Sequence, residues 1–211
     1  MRELVLPRVY PITDRRLAGL SHAEQVAQLV AGGAKMIQLR EKHLEAGPFY
    51  EQALAAVGVA RAHGALVIIN DRVDVALAVQ ADGVHLGQTD LPPEAARRLL
   101  GRRAIIGFST HNVEQAMAAA RLPIDYLAIG PIFATASKEK PDPVVGLEGL
   151  RRVRASLEAR DLPLVAIGGI THANARSVIE AGADAVAVIS AVVAPDGSIE
   201  RRFRDLQQAL A

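Results

Sequence analysis

Residues 66–86 read LVIINDRVDVALAVQADGVHL, and this stretch decides the fold. Leu66 to Asn70 is a short, nearly unbroken apolar run of branched residues, the pattern of a strand buried on both faces, as in parallel sheets. Val73–Val79 follows with helical spacing. A turn at Gln80–Ala81–Asp82 then leads into a second short run, Gly83–Leu86. Strand, helix and strand in so few residues make a βαβ unit, whose two strands lie parallel.

The same unit recurs on either side. Short buried runs are expected as strands at Val9–Thr13, Met36–Arg40, Leu66–Asn70, Gly83–Leu86, Ile105–Phe108, Tyr126–Gly130, Leu164–Ile167 and Ala185–Ile189. Between them lie helical stretches at Ser21–Val30, Pro48–His63, Val73–Val79, Pro93–Leu100, Val113–Arg121, Leu147–Ala159, Ala173–Glu180 and Ile199–Ala211. Ser21 with Glu24 three residues on is a capping-box pattern. Gly32–Gly33–Ala34–Lys35, Gln80–Ala81–Asp82–Gly83 and Ala181–Gly182–Ala183–Asp184 each end a helix just before a strand, a weak internal repeat of structural character. The longest irregular segment is Pro131–Gly146, after the sixth strand, and irregular loops of that length are usually functional or mobile. Eight β/α units point to an α/β fold of the TIM (β/α)8 barrel type, a parallel closed sheet in one domain over residues 1–211; an open doubly wound sheet is the alternative. Polar residues follow strands two to eight. A barrel gathers all those ends on one face, whereas an open sheet converges only near its switch point.

Composition narrows the function. With 24 Lys plus Arg against 23 Asp plus Glu, the net charge is +1, which does not suit a dedicated nucleic-acid binder. The absence of cysteine excludes disulfides, thiolate nucleophiles and zinc-thiolate centres. Met1–Pro11 lacks the apolar core of a secretory signal, and no apolar run has membrane-spanning length, so a cytoplasmic enzyme with no membrane or nucleic-acid partner is expected. The sequence leaves oligomeric state open, a homo-oligomer included.

The strand ends carry the candidate chemistry. Alternation along Gln38–Leu39–Arg40–Glu41–Lys42 puts Gln38, Arg40 and Lys42 on one side. Two cations and an amide in a barrel interior need a partner, and a di- or triphosphate is a natural one. Glu41 pairing with a cation at the rim is the structural alternative. Asn70–Asp71 and Asp90 end the third and fourth strands with carboxylates suited to Mg2+, which takes one or two carboxylates plus phosphate oxygens. Asp71 and Asp90 also suit helix caps. After strand five, Ser109 is the better ligand candidate, Thr110 or Asn112 suits a cap, and His111, alone, reads more readily as structural than as a base. Thr135–Ala136–Ser137–Lys138 offers two hydroxyls and an ammonium to an anion, or else is a polar loop. Gly168–Gly169 after strand seven and Ile189–Ser190 after strand eight match the backbone phosphate site of many barrels, with Ala191–Val193 expected as a short helix.

With these residues in hand, the chain resembles the thiamine-phosphate synthase family from Val9–Arg15 to about Pro195. The resemblance rests on IQLREK (Ile37–Lys42), INDRVDVALAVQADGVHLGQTDLP (Ile69–Pro92), GFSTHN (Gly107–Asn112), GPIFATASK (Gly130–Lys138), AIGGI (Ala166–Ile170) and AVAVISA (Ala185–Ala191). It implies a transferase that joins a hydroxymethylpyrimidine diphosphate to a thiazole monophosphate and releases pyrophosphate. It implies that Gln38, Arg40, Lys42, Asn70, Ser109 and Lys138, with Leu39 and Glu41 in the same strand end, hold the pyrimidine diphosphate. Asp71 and Asp90 would hold Mg2+. Thr135, Ala136, Ser137, Gly169, Ile189 and Ser190 would hold the thiazole phosphate. Arg40, Lys42, Lys138 and Ser109 would act on the leaving pyrophosphate. Ser137 stands where the family often has Thr, with the hydroxyl kept. Phe108 replaces a smaller aliphatic and is expected to alter the pocket near the pyrimidine.

The implied substrates suggest a dissociative course, because the electron-rich aminopyrimidine stabilises a cation at the carbon that loses pyrophosphate. The thiazole nitrogen carries no proton, so its attack needs no protein base. A thiazole tautomerase of the same superfamily would need a proton shuttle such as His111, but not Arg40, Lys42, Asp71, Asp90 and Lys138 together. A non-catalytic thiamine-related binding barrel would not need the metal carboxylates. A phosphosugar isomerase or indole-type synthase barrel would need an acid–base pair instead of a pyrophosphate cage.

Overall fold

The computed structural model describes residues 4–135, 142–157, 161–196 and 198–211. Eight parallel strands close into a barrel in chain order: β1 (Val9–Asp14), β2 (Met36–Arg40), β3 (Leu66–Asn70), β4 (Gly83–Leu86), β5 (Ile105–Thr110), β6 (Tyr126–Ile129), β7 (Leu164–Ile167) and β8 (Ala185–Val188). The last strand pairs with the first through Val9↔Val186, Tyr10↔Ala187 and Pro11↔Val188. Helices α1 (Arg15–Ala18), α2 (His22–Ala31), α3 (Ala46–Ala62), α4 (Val73–Ala78), α5 (Pro93–Leu100), α6 (Val113–Ala119), α7 (Gly146–Ser156), α8 (Ala175–Glu180) and α9 (Ile199–Ala209) form the outer ring.

The eight strands expected from sequence are all present, as is the Ser21–Glu24 capping box: Ser21 Oγ accepts from Glu24 N at 3.2 Å and Glu24 Oε2 accepts from Ser21 N at 2.8 Å. Several element ends shift by one to three residues, and three differences bear on the site. β5 continues to Thr110, because Ser109 and Thr110 keep pairing with Ala128 and Ile129. The four-residue α1, too short to show periodicity, is started by Asp14, whose side chain accepts from Leu17 N. Ala191–Val193 is a turn and not a helix; Ile189 O accepts from both Val192 N and Val193 N, so the chain curls only once.

The period of two along each strand divides the apolar residues into two cores. Leu39, Ile69, Leu86, Phe108, Leu127 and their neighbours face the helices in one continuous layer. Tyr10, Ile12, Met36, Ile68, Tyr126, Ala128, Val165, Ala185 and Ala187 fill the barrel itself. Phe108 belongs to the helix-facing layer, in register with Leu86 and Leu127. It therefore does not shape a pocket at the mouth, contrary to the expectation drawn from its size.

The lower end of the barrel is closed by a repeated device. Asp82, Asp125 and Asp184 each stand one residue before an even-numbered strand. Their carboxylates accept backbone N–H groups from the first or second residue of neighbouring strands: Val67 at 2.8 Å, Ile106 at 2.7 Å and Leu164 at 2.7 Å. Arg97 adds a 2.6 Å contact to Asp125, and Arg154 pairs with Asp184. Thus two segments of the internal repeat, Gln80–Gly83 and Ala181–Asp184, supply strand-end clasps. Asp125→Ala leaves the Ile106 N–H without its acceptor and removes the carboxylate partner of the Arg97 guanidinium, which keeps the Gly101, Ala104 and Pro123 carbonyls, and is expected to lower unfolding free energy by about 1–3 kcal/mol. Urea denaturation checks the loss, and kcat measured on the still-folded variant should be unchanged.

Candidate active site

At the upper end the strands finish in polar residues. Arg40 ends β2, and its Nη1 lies 3.0 Å from Asp14 Oδ2 at the end of β1. Lys42 reaches over β3 to pair with Asp71 Oδ2. Asp90, in the loop after β4, accepts from Gly87 N at 2.7 Å and lies beside Asp71. Burial raises the Asp90 carboxyl, and the adjacent Asp71 charge raises it further, against the pull of Gly87 N–H and Lys42. Asp71 holds a left-handed backbone, φ 61°, with its N–H donated to His85 O at 2.8 Å. Residues with side chains seldom adopt that conformation, and where they do it is commonly at a functional position. Neither carboxylate caps a helix: the residues before α4 and α5 are Arg72 and Pro92, with no side-chain cap.

Asn70 is buried, and its Nδ2 has no hydrogen-bond partner among the described residues. An unsatisfied buried donor costs about 1–3 kcal/mol, a cost that an acceptor on a ligand removes. The donor set fits a hard divalent cation shared with a phosphate ligand. Two adjacent carboxylates repel one another, and no group of three or more His, Cys, Asp or Glu among the described residues forms a complete protein cage. Mg2+ typically completes its shell with water and substrate phosphate oxygens.

Across the interior, Ser109 Oγ is 2.8 Å from His85 Nε2, and His85 Nδ1 is 2.9 Å from Tyr126 OH. Tyr126 OH meets Tyr10 OH at 3.1 Å, and Gln38 Nε2 donates to Tyr10 OH at 3.1 Å. Burial lowers the His85 imidazole from 6.5 to about 4, so it is neutral at physiological pH, and burial raises both tyrosines.

The opposite side of the mouth is built differently. Gly168 and Gly169 have φ 100° and 65°. A Cβ at Gly168 would come within 2.5 Å of Pro131, and one at Gly169 within 2.6 Å of Ala134 O. Ile132 N and Phe133 N donate to Ile167 O and Gly168 O at 2.9 and 3.0 Å. The loop that carries Thr135 is thereby laid directly on the paired glycines.

Gln38, Arg40, Lys42, Asn70, Asp71, Asp90 and Ser109 thus share one mouth, as read from the sequence. The side chains of Leu39 and Glu41 do not join them. Leu39 is buried among the outer helices. Glu41 turns away from Arg40 and Lys42, to 3.5 Å from Arg15 and 3.6 Å from His22 Nε2, and accepts from His43 N and Leu44 N at 2.8 and 3.3 Å. Burial raises its carboxyl, but these partners more than offset that and hold it below the usual range. Only the backbone of these two residues remains for a ligand. Ala136, Ser137 and Lys138 lie outside the described residues. Asn112 caps α6 through Gln115 N at 2.8 Å, and Thr110 is tied to Ala128 O at 2.9 Å. Asp14, Tyr10, His85 and Tyr126 were not singled out in the sequence. Asp14 had a signal, a carboxylate at the end of a strand, whereas the other three sit inside apolar runs.

The family model described as "Thiamine monophosphate synthase" matches residues 9–192. The chain is 48% identical over 190 residues to the thiamine-phosphate synthase of Chloroflexus aurantiacus, covering 90% of this chain and 86% of that protein. It is 47% identical to that of Methanospirillum hungatei, covering 94% and 96%. A solved thiamine phosphate pyrophosphorylase from Pyrococcus furiosus superposes with a TM-score of 0.84 at 40% identity, covering 96% of this chain and 95% of that one.

The support behind Glu41 has a pH signature. His22 is buried, with Nδ1 2.8 Å from Thr13 Oγ1, and burial lowers it from 6.5 to about 4. The unfolded chain therefore binds more protons between these values, and stability is lost as pH falls from about 6.5 toward 4, by at most about 3 kcal/mol. Urea midpoints at pH 7.5, 6 and 5 should fall more steeply for the wild type than for His22→Gln; parallel curves would show that His22 does not contribute.

Proposed function

Because this chain belongs to the thiamine monophosphate synthase family and is a transferase of thiamine biosynthesis, we propose that it couples 4-amino-2-methyl-5-hydroxymethylpyrimidine diphosphate to 4-methyl-5-(2-phosphooxyethyl)thiazole. The products are thiamine phosphate and pyrophosphate. One observation carries this reading: Lys42, Asp71 and Asp90 meet beside the Arg40–Asp14 pair and the unsatisfied Asn70 amide. That combination suits a metal-bound diphosphate, whereas an enzyme that only isomerises a monophosphate has no use for it.

In this reading Asp71 and Asp90 hold Mg2+, which, when bound, supplies charge neutralisation to the diphosphate. Arg40 and Lys42 bind its oxygens, with Lys138 from the loop after β6. As the bond from carbon to pyrophosphate oxygen breaks, negative charge grows on the leaving group, and these preorganised cations stabilise it. Asn70 and Ser109 donate to the same substrate, and Gln38 lies against the ring. The aminopyrimidine carries the positive charge left at its exocyclic carbon. The thiazole nitrogen then adds its lone pair there and loses no proton, so no base is needed. Thr135, Ser137, Gly169, Ile189 and Ser190 hold the thiazole phosphate through hydroxyls and backbone N–H groups. His111 is occupied structurally, with Nδ1 2.6 Å from Gly130 O and Nε2 3.5 Å from Asp142, which argues against a proton shuttle. The substrates are small and phosphorylated, and the enzyme works in the cytoplasm.

Incubation with both substrates and Mg2+ should give thiamine phosphate and pyrophosphate in equal amounts. Isomerisation of the thiazole without coupling would replace this function with that of a tautomerase. Asp71→Ala and Asp90→Ala should each lower kcat by about 100-fold or more with the fold intact by circular dichroism. Metal-dependent activity surviving in both would remove the magnesium assignment. An electron-withdrawing group on the pyrimidine should slow the reaction steeply, and a rate indifferent to it would exclude the cationic course.

A further inference from the structure

Barrel interiors are normally filled by branched aliphatic side chains. Here five polar side chains from five strands cross the interior in one hydrogen-bonded line: Gln38 of β2, Tyr10 of β1, Tyr126 of β6, His85 of β4 and Ser109 of β5. The imidazole stacks on the Tyr126 ring, with centroids 5.5 Å apart and planes at 26°, and Tyr10 meets Tyr126 edge-on at 6.0 Å. The space is reserved for them by a missing side chain. A Cβ at Gly107 would fall 2.0 Å from Tyr126 Cζ and 2.5 Å from His85 Nδ1. Buried polar groups of this kind are tolerable only when each is satisfied, and in a low-dielectric interior successive bonds polarise one another.

Counting protons gives the line a direction. Gln38 donates an amide N–H to Tyr10, so the single Tyr10 hydroxyl proton is the one shared with Tyr126. In that arrangement the Tyr126 proton is left for His85 Nδ1, 2.9 Å away, which would accept it. A neutral imidazole with Nδ1 as acceptor carries its proton on Nε2, and would give it to Ser109 Oγ, 2.8 Å away. Of the hydroxyl and imidazole protons, only that of Ser109 is not used inside the line.

We propose that this line is a polarised relay that commits the Ser109 hydroxyl to donate to an acceptor on the diphosphate substrate, with Tyr10, Tyr126 and His85 as positioning residues. The proposal rests on the reading of Ser109 as a contact of the pyrimidine diphosphate. It gives the two tyrosines a function that packing alone does not require, since phenylalanine would fill the same volume. It also makes a distant change legible at His85: Tyr10 bonds Tyr126, not His85.

The test reads the histidine tautomer directly. Two-bond 1H–15N spectra of the 15N-labelled protein without substrate, with the His85 signals identified by their loss in His85→Gln, should show Nδ1 as the unprotonated nitrogen. In Tyr10→Phe, which retains every group bonded to the imidazole, the two nitrogen shifts should move toward each other as the preference weakens. A proton on Nδ1 in the wild type, or His85 signals unchanged in Tyr10→Phe, would overturn the relay. In the coupling assay, Ser109→Ala should lower kcat/KM about 10–100-fold, and Tyr10→Phe and Tyr126→Phe each about 3–10-fold. The double variant should be no worse than the weaker single one, since one break interrupts the whole line. Additive losses in variants with unchanged melting temperatures would reduce the tyrosines to independent contacts and overturn the proposal. Tautomers as expected in a protein with no coupling activity would overturn the substrate reading while leaving the hydrogen-bond direction established.

Discussion

Closure of the sheet is the constraint on which the rest depends. When β8 pairs with β1, eight parallel strands acquire one common upper end, and residues far apart in the chain become neighbours there. Arg40 meets Asp14, Lys42 meets Asp71, and Asp71 meets Asp90 only because their strands stand side by side in a ring. An open sheet would leave Ser109 and Gln38 too far apart to be bridged by two tyrosines and a histidine. The frame is held from below by the Asp82, Asp125 and Asp184 clasps, and from outside by the helix-facing apolar layer. That separation lets the mouth carry features that cost stability, namely the left-handed Asp71 and the unsatisfied Asn70 amide.

The mouth then divides by chemistry. The ends of β1 to β4 contribute charged groups, and Arg40 and Lys42 each already have a carboxylate next to them. Such a site is preorganised for a ligand that brings both negative charge and a metal, because phosphate oxygens can take over the cations as the metal takes the carboxylates. Strands β6 to β8 contribute backbone. The paired glycines allow the loop after β6 to lie directly on the end of β7, and a bulkier residue at either position would push it off. Charge on one side and close backbone on the other suit two different phosphorylated ligands brought together over the same barrel.

The architecture was legible because parallel strands buried on both faces leave unbroken apolar runs, and Gly- and Asp-containing turns punctuate them. The same property hid the facing of individual residues. With both faces apolar, nothing in Ile105–Phe108 tells which side chains enter the barrel, so Phe108 reads as a pocket residue when it packs against helices. His85 and Tyr126 were illegible for the same reason: in a short apolar run a lone histidine or tyrosine looks like core, and its partners come from strands 24 and 41 residues away. Charged residues past strand ends, by contrast, stand out, and Arg40, Lys42, Asp71 and Asp90 all lie together at the mouth. Glu41 escaped that rule because its neighbours Arg15 and His22 come from the α1–α2 region, whose first helix has too few residues to show a period.

The division of the mouth is tested most directly by equilibrium titration of two ligands into two variants. Magnesium pyrophosphate and the thiazole monophosphate are titrated calorimetrically into Arg40→Ala and Ser190→Ala. If the two sides work separately, Arg40→Ala weakens magnesium pyrophosphate by about tenfold or more, a loss of about 1.4 kcal/mol, and leaves the thiazole phosphate within about twofold. Ser190→Ala does the reverse. Equal losses of both ligands in either variant would contradict the division and make the mouth a single undifferentiated anion site.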